Sequence, residues 1–182
     1  MSRESYLNRL PANCPRGLEE FFLDDVSLYV RLGNSMGEAR DAFLEGQRLA
    51  ERYADGLGGH TVEWLAGTLG VKVETGNWVV AEDSLMMPGE CSWEPALIRV
   101  NQRIVDLLSK ISVNAGVKCD QIRELVIAHE LFHVITRQSS GRKVELAAHS
   151  FARILLGLPF SPLLLEKLLV SGDFRALSRG LV

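Results

Sequence analysis

The chain has 182 residues, 47% hydrophobic and 24% charged, with a formal net charge of −3. This composition is typical of a folded globular protein and excludes wholesale disorder, collagen-like repeats and coiled-coil rods. A small negative charge also disfavours a nucleic-acid-binding surface, so we expect no direct nucleic-acid partner.

Neither a signal peptide nor a membrane anchor is visible in the sequence. The N-terminus has no apolar core of signal-peptide length, and no apolar run approaches the roughly 20 residues of a spanning helix. The three cysteines include no Cys-x-x-Cys pair, which disfavours a disulfide framework or a cysteine-rich zinc site. We therefore expect a cytoplasmic protein with no membrane partner.

Hydrophobic spacing, glycines and prolines divide the chain into an irregular or partly helical leader, 1–36, and a single domain, 37–182. Predicted helices cover 37–55, 61–69, 104–112, 120–137, 143–156 and a short segment that begins at Pro162. Predicted strands cover 71–75, 78–81 and 96–101, with a hairpin between the first two and a loop over 83–96. Since strands and helices do not alternate, we predict an α+β fold, mainly helical, with a small antiparallel sheet.

The predicted helix 120–137 contains the motif His-Glu-x-x-His, formed by His129, Glu130 and His133. A spacing of four residues places both imidazoles on one helix face, where they can bind one metal ion. Glu130 then lies beside the metal and can act as the general base on a metal-bound water. The alternative is a pair of core histidines that bond backbone carbonyls, next to a salt-bridged Glu130.

A catalytic zinc site of this kind needs a third protein ligand and an open position for water. The next predicted helix offers Glu145 and His149, again four residues apart. Glu145 follows His133 by 12 residues, across a Ser-Ser-Gly break, which suits a helical hairpin that returns it to the first helix. His149 is the competing ligand. Its other possible role is to form a hydrogen bond that orients Glu145 as a ligand.

The two helices together resemble the ImmA/IrrE family of metallopeptidases. The resemblance rests on His129-Glu-Leu-x-His133, followed by Glu145-x-x-Ala148-x-x-Phe151-Ala152 and a leucine-rich tail that ends at Pro159. It extends weakly upstream to cover roughly residues 40–160. The chain differs from the family pattern at His149, where the family usually has Asn, and at Phe132, where Gly is common.

This resemblance implies a gluzincin-like zinc peptidase domain. Zinc would be bound by His129, His133 and Glu145, with Glu130 as the general base. It also implies an intracellular protein, usually of bacterial or phage origin. Characterised members are associated with cleavage of transcriptional repressors, which here would be a separate chain.

Two functions follow as expectations. The first is a zinc-dependent endopeptidase that hydrolyses a peptide bond in an intracellular protein, with the substrate extended along an exposed strand. Our candidate for that edge strand comprises Leu97, Ile98, Arg99, Val100 and Asn101. The alternative is a non-catalytic module that contains the metal and regulates a protein partner by binding it. An intact Glu130 favours the peptidase, because a pure binder needs no base beside the metal.

Overall fold

The computed structural model describes residues 19–78, 88–112, 118–138 and 141–169. Most of these residues lie in helices. After a short 3-10 helix, Glu19–Phe22, the α-helices are α1 (Asp25–Arg31), α2 (Met36–Leu57), α3 (Val62–Thr68), α4 (Gln102–Ser112), α5 (Cys119–Thr136), α6 (Arg142–Leu155) and α7 (Leu163–Leu169). The strands are β1 (Lys72–Gly76), β2 (Gly89–Trp93) and β3 (Ala96–Asn101). The predicted α+β class is confirmed.

Local signals in the sequence explain where the helices begin and end. The Ser35 hydroxyl accepts the backbone N–H of Glu38, and the Glu38 carboxylate accepts the N–H of Ser35, so a capping box begins α2. Gly58 ends this helix in the left-handed conformation, at φ 45°. The predicted cap Thr61 accepts the N–H of Trp64 at the start of α3.

The sheet is mixed, so the predicted antiparallel sheet is wrong in this detail. Its strand order is β1-β3-β2, with β1 parallel and β2 antiparallel to β3. The predicted hairpin is not formed by the residues that the structure describes, because β1 pairs with the distant β3, and residues 79–81 lie outside them. The central place of β3 also means that Leu97–Asn101 is not an edge strand, since both of its sides already carry partners.

Strand β2 lies inside the segment that the sequence predicts as a loop. Pro88, Gly89 and Pro95 suggested that loop, but Pro88 and Pro95 flank the strand instead of interrupting it. Strand β2 begins at Gly89, where any larger residue would collide with α5. A Cβ at this position would lie 2.6 Å from Val126 Cγ1 and 3.0 Å from Glu130 Cγ.

Helix α5 is the centre of the fold. It contacts the sheet through β2 and β3 and also contacts α3, α4 and α6. Helix α6 in turn packs closely against α2, where Gly46 permits the approach. A Cβ on Gly46 would lie 2.7 Å from the Phe151 nitrogen and 2.8 Å from Ser150 Cβ. The two helices that carry the predicted motif are thus held by packing on several sides.

Helix α1 belongs to the same core, although it lies within the predicted leader. Leu28 and Tyr29 are fully buried, and Phe21 and Phe22 are nearly so. The partly helical character predicted for 1–36 is present in the described part, and residues 1–18 lie outside it. Among the described helices, none is long and apolar enough to cross a membrane.

Candidate metal centre

Helix α5 presents two imidazoles at one point. Its apolar side chains Ile127, Leu131 and Phe132 are fully buried, which fixes the helix in the interior. The Nε2 atoms of His129 and His133 then lie 3.2 Å apart. This is the convergence that the four-residue spacing predicts.

Helix α6 brings a carboxylate to the same point. The Glu145 Oε2 atom lies 3.2 Å from His129 Nε2 and 3.6 Å from His133 Nε2. Within the described ranges, these three residues are the one group of three or more His, Cys, Asp or Glu whose ligand atoms all lie within 4.8 Å of one another. The sequence left Glu145 and His149 open as the third ligand, and the structure brings Glu145 to the histidines.

The triangle of ligand atoms has the size that a tetrahedral metal requires. Zinc ligands at about 2.0–2.1 Å from the ion lie about 3.3 Å from one another. The three observed separations, 3.2, 3.2 and 3.6 Å, match that spacing. The His129, His133 and Glu145 side chains therefore fit a His₂Glu zinc site and leave a fourth position open.

A backbone carbonyl holds the His133 ring. Helix α5 ends at Thr136, and Arg137 adopts a left-handed conformation, φ 55°, that reverses the chain. The Gln138 oxygen then lies 2.7 Å from His133 Nδ1. Because a carbonyl can only accept, Nδ1 carries the hydrogen and Nε2 keeps a lone pair for a metal.

The charges in the cluster complement one another. Burial raises the pKa of Glu145, but hydrogen bonds with His129 and His133 outweigh burial and hold that pKa well below its usual range. Burial lowers the pKa of His133, yet hydrogen bonds to Glu145 and to Gln138 raise it overall. Glu145 is thus ionised, as a metal ligand must be.

Glu130 follows His129 on α5, and its side chain packs against Gly89 of strand β2. Its side chain is 8% exposed, and Gly89 leaves room for it. The Cys91 thiol bonds to the Glu130 carboxylate, and burial followed by the charge of Glu130 raises the pKa of Cys91 to about 12. The thiol is therefore protonated and can donate to the Glu130 carboxylate.

His149 contacts the site from the side. Its ring centroid lies 4.7 Å from that of His129, and its Nε2 lies 2.8 Å from Glu166 Oε1. It is not among the three ligand residues. A pocket of about 230 Å³ adjoins the cluster. Its lining includes Glu145, His149, Glu166 and Arg142, together with Asn34 and three leucines.

Sequence reasoning missed Gly89, Cys91 and Glu166. Gly89 and Cys91 lie on a strand that the sequence does not reveal. Glu166 lies on α7, 17 residues beyond its partner His149, and no motif links the two. The predicted strand Leu97–Asn101 is central in the sheet, so its backbone is already paired on both sides.

Comparison of the chain with protein-family models, with curated proteins and with solved structures finds no match in any of the three. The resemblance to the ImmA/IrrE family therefore stays a prediction from the motifs.

Proposed function

We propose that the protein is a zinc-dependent endopeptidase. The observation that carries this proposal is the triangle of His129 Nε2, His133 Nε2 and Glu145 Oε2, with Glu130 next to it on the same helix. Two imidazoles, one carboxylate and an open position are the ligand set of catalytic zinc in peptidases. Among the divalent metals, we propose zinc, because a site with two imidazoles, one carboxylate and an open position suits it.

The mechanism follows from the roles available to these side chains. When bound, zinc would lower the pKa of a water from about 15.7 towards 7 and polarise the scissile carbonyl. Glu130 would accept the proton of that water and later pass it to the leaving amine. Gly89 would leave room for the Glu130 carboxylate, and the Cys91 thiol would donate a hydrogen bond to it.

An extended substrate would pair with β2. This strand is bonded to β3 on one side and lies at an edge of the described sheet. Its residue Cys91 reaches Glu130, so a peptide along β2 would pass close to the general base. The pocket beside Glu145 would take a substrate side chain. These contacts favour β2 over the central strand β3 for substrate binding.

The proposed substrate is an intracellular protein, and the proposed location is the cytoplasm. A transcriptional repressor, supplied as a separate chain, is the substrate class that the ImmA/IrrE resemblance implies. The alternative of a non-catalytic, metal-containing partner-binding module shares the metal site but does not need Glu130.

Replacement of Glu130 separates these two functions. Cells that produce the wild-type protein should contain new protein N-termini, and cells that produce Glu130→Gln should not. Loss of a general base lowers the rate by about 10²- to 10⁴-fold. Mass spectrometry of protein N-termini measures the difference. Glu124→Gln is the matched control on α5, since its amide oxygen can still accept the Val62 N–H. Equal cleavage by the Glu130→Gln protein would contradict the peptidase proposal.

A further inference from the structure

His149 carries a buried nitrogen without a partner. The Glu166 carboxylate accepts a hydrogen from His149 Nε2 at 2.8 Å. A neutral imidazole has one donor and one acceptor, so Nδ1 is then an acceptor. In the described part of the chain this Nδ1 has no hydrogen-bond partner. The side chain is only 5% exposed, so the nitrogen is buried as well as unpaired. Burial of an unsatisfied acceptor costs about 1 to 3 kcal/mol.

His129 has the complementary need. Its Nε2 faces His133 and Glu145, so in the metal-bound protein the hydrogen of a neutral ring resides on Nδ1. A ligating histidine almost always donates that hydrogen to an acceptor. His133 has the carbonyl of Gln138 for this purpose. No hydrogen bond in the described part of the chain involves His129 Nδ1. The His149 ring packs against the His129 ring, with 4.7 Å between the centroids.

We propose that Glu166 and His149 form a relay that positions His129 as a metal ligand. In this relay, Glu166 accepts the Nε2 hydrogen of His149, and His149 Nδ1 accepts the Nδ1 hydrogen of His129 when metal is bound. The proposal rests on the metal site of the proposed function. It satisfies the unpartnered nitrogen of His149 and gives His129 its missing acceptor, with every ring neutral and no proton transferred.

The fold supports a relay in this direction. Helix α7 is held by buried Leu163, Leu164 and Leu165, which fixes the helix that carries Glu166. His149 lies one turn after Glu145 on α6, so the same helix supplies one metal ligand and the support for another. The two histidine ligands are thereby oriented by different means, His133 by a backbone carbonyl and His129 by side chains.

Zinc affinity tests the relay, measured by competition with a chromogenic chelator on the purified full-length protein. His149→Phe preserves an aromatic ring against His129 but removes the acceptor. His149→Asn places an amide oxygen close to the position of Nδ1. We expect His149→Phe to bind zinc about 10- to 100-fold more weakly and His149→Asn to stay within a few-fold of the wild-type protein. Thermal unfolding of the metal-free proteins checks that both variants fold.

Glu166 offers a second matched pair. Glu166→Ala removes the acceptor for His149, whereas Glu166→Gln retains one. We expect zinc affinity to fall about 10-fold in the first variant and to be nearly unchanged in the second. A role confined to packing would not separate Ala from Gln in this way.

Nitrogen-15 NMR of the histidine rings gives a readout that needs no substitution. The zinc-loaded wild-type protein should show His149 with its hydrogen on Nε2 and His129 with its hydrogen on Nδ1. A His149 hydrogen on Nδ1, or equal zinc affinity in His149→Phe and the wild-type protein, would overturn the relay alone. Failure of the wild-type protein to bind zinc would overturn the metal site and the proposed function as well.

Discussion

Two polar clusters depend on helix α6, and they differ in how their hydrogen bonds are completed. In the first, which we call the anchor cluster (Asp25, Tyr29, Ser150 and Arg153), each side chain has partners. Arg153 Nη1 lies 2.6 Å from Asp25 Oδ1, and the Tyr29 hydroxyl donates to the Leu146 carbonyl at 2.8 Å. The Ser150 hydroxyl lies 2.7 Å from that of Tyr29 and 3.1 Å from Asp25 Oδ2.

The second cluster is the proposed metal centre, where three possible ligand atoms converge. Two Nε2 atoms and a carboxylate oxygen meet within 3.6 Å, and the neighbouring His149 Nδ1 has no partner. Buried polar groups in folded proteins are normally satisfied. The anchor cluster is thus complete within the fold, whereas the proposed metal centre has the arrangement that a bound ligand would complete.

The largest effect that separates the clusters is loss of metal. Glu145→Ala should abolish zinc binding, because it removes one of three protein ligands. The free energy of unfolding of the metal-free protein should change less than in any anchor-cluster variant, since the Glu145 side chain is 41% exposed. Calorimetric titration with zinc and urea unfolding measure the two quantities. Retention of wild-type zinc affinity would remove Glu145 from the ligand set.

The anchor cluster should show the opposite behaviour. Arg153→Met leaves the Asp25 carboxylate, 1% exposed, without its cation and should cost about 3 to 5 kcal/mol of folding free energy. Zinc affinity of the folded fraction should be unchanged. Lys143→Met is the control on the same helix, because its ion pair with Asp41 is exposed and contributes about 1 kcal/mol or less. Equal destabilisation by both substitutions would contradict the role of the anchor cluster.

A smaller effect is expected where α2 meets α6. Gly46→Ala would force a Cβ against the backbone of α6 and should cost about 1 to 3 kcal/mol. Gly37→Ala on the same helix meets no atom within 4 Å and should be neutral or stabilise the protein by about 1 kcal/mol. Urea unfolding of the two variants measures the difference. Similar unfolding free energies for Gly46→Ala and Gly37→Ala would contradict a tight contact between α2 and α6 at Gly46.

The smallest expected effect concerns alkaline pH. Burial, and then the charge of Asp25, raises the pKa of Tyr29 well above 10. Above pH 10 the unfolded chain loses the tyrosine proton while the folded chain keeps it, so stability falls by about 1.4 kcal/mol for each pH unit. Tyr29→Phe should lessen this fall, because it removes the group that titrates differently in the two states. Unfolding free energies measured from pH 9 to 11 test this, and an identical slope in Tyr29→Phe would contradict it.

The parts predicted correctly depend on short-range rules. The convergence of His129 and His133 follows from helix geometry alone, and a break of a few residues is enough to return Glu145 to them. Capping residues such as Thr61 similarly place helix ends to within a few residues.

The parts predicted wrongly depend on contacts between distant segments. Strand β1 pairs in parallel with the distant β3. The alternation of apolar and polar residues along one strand does not indicate which other strand it pairs with. The sequence did not reveal strand β2 because a glycine next to a proline is typical of a loop. Gly89 is required here for a different reason, which is the close approach of α5. Glu166 meets His149 only through the packing of α7, so no spacing rule could have paired them.

The most direct test of the central claim is the metal content of the purified, untagged protein, measured by elemental mass spectrometry. The wild-type chain and His60→Ala, a substitution at a histidine that stacks on Trp64, should each contain about one equivalent of zinc. His133→Ala should contain none. Absence of zinc from the wild-type protein, even after incubation with the metal, would contradict a zinc centre at His129, His133 and Glu145.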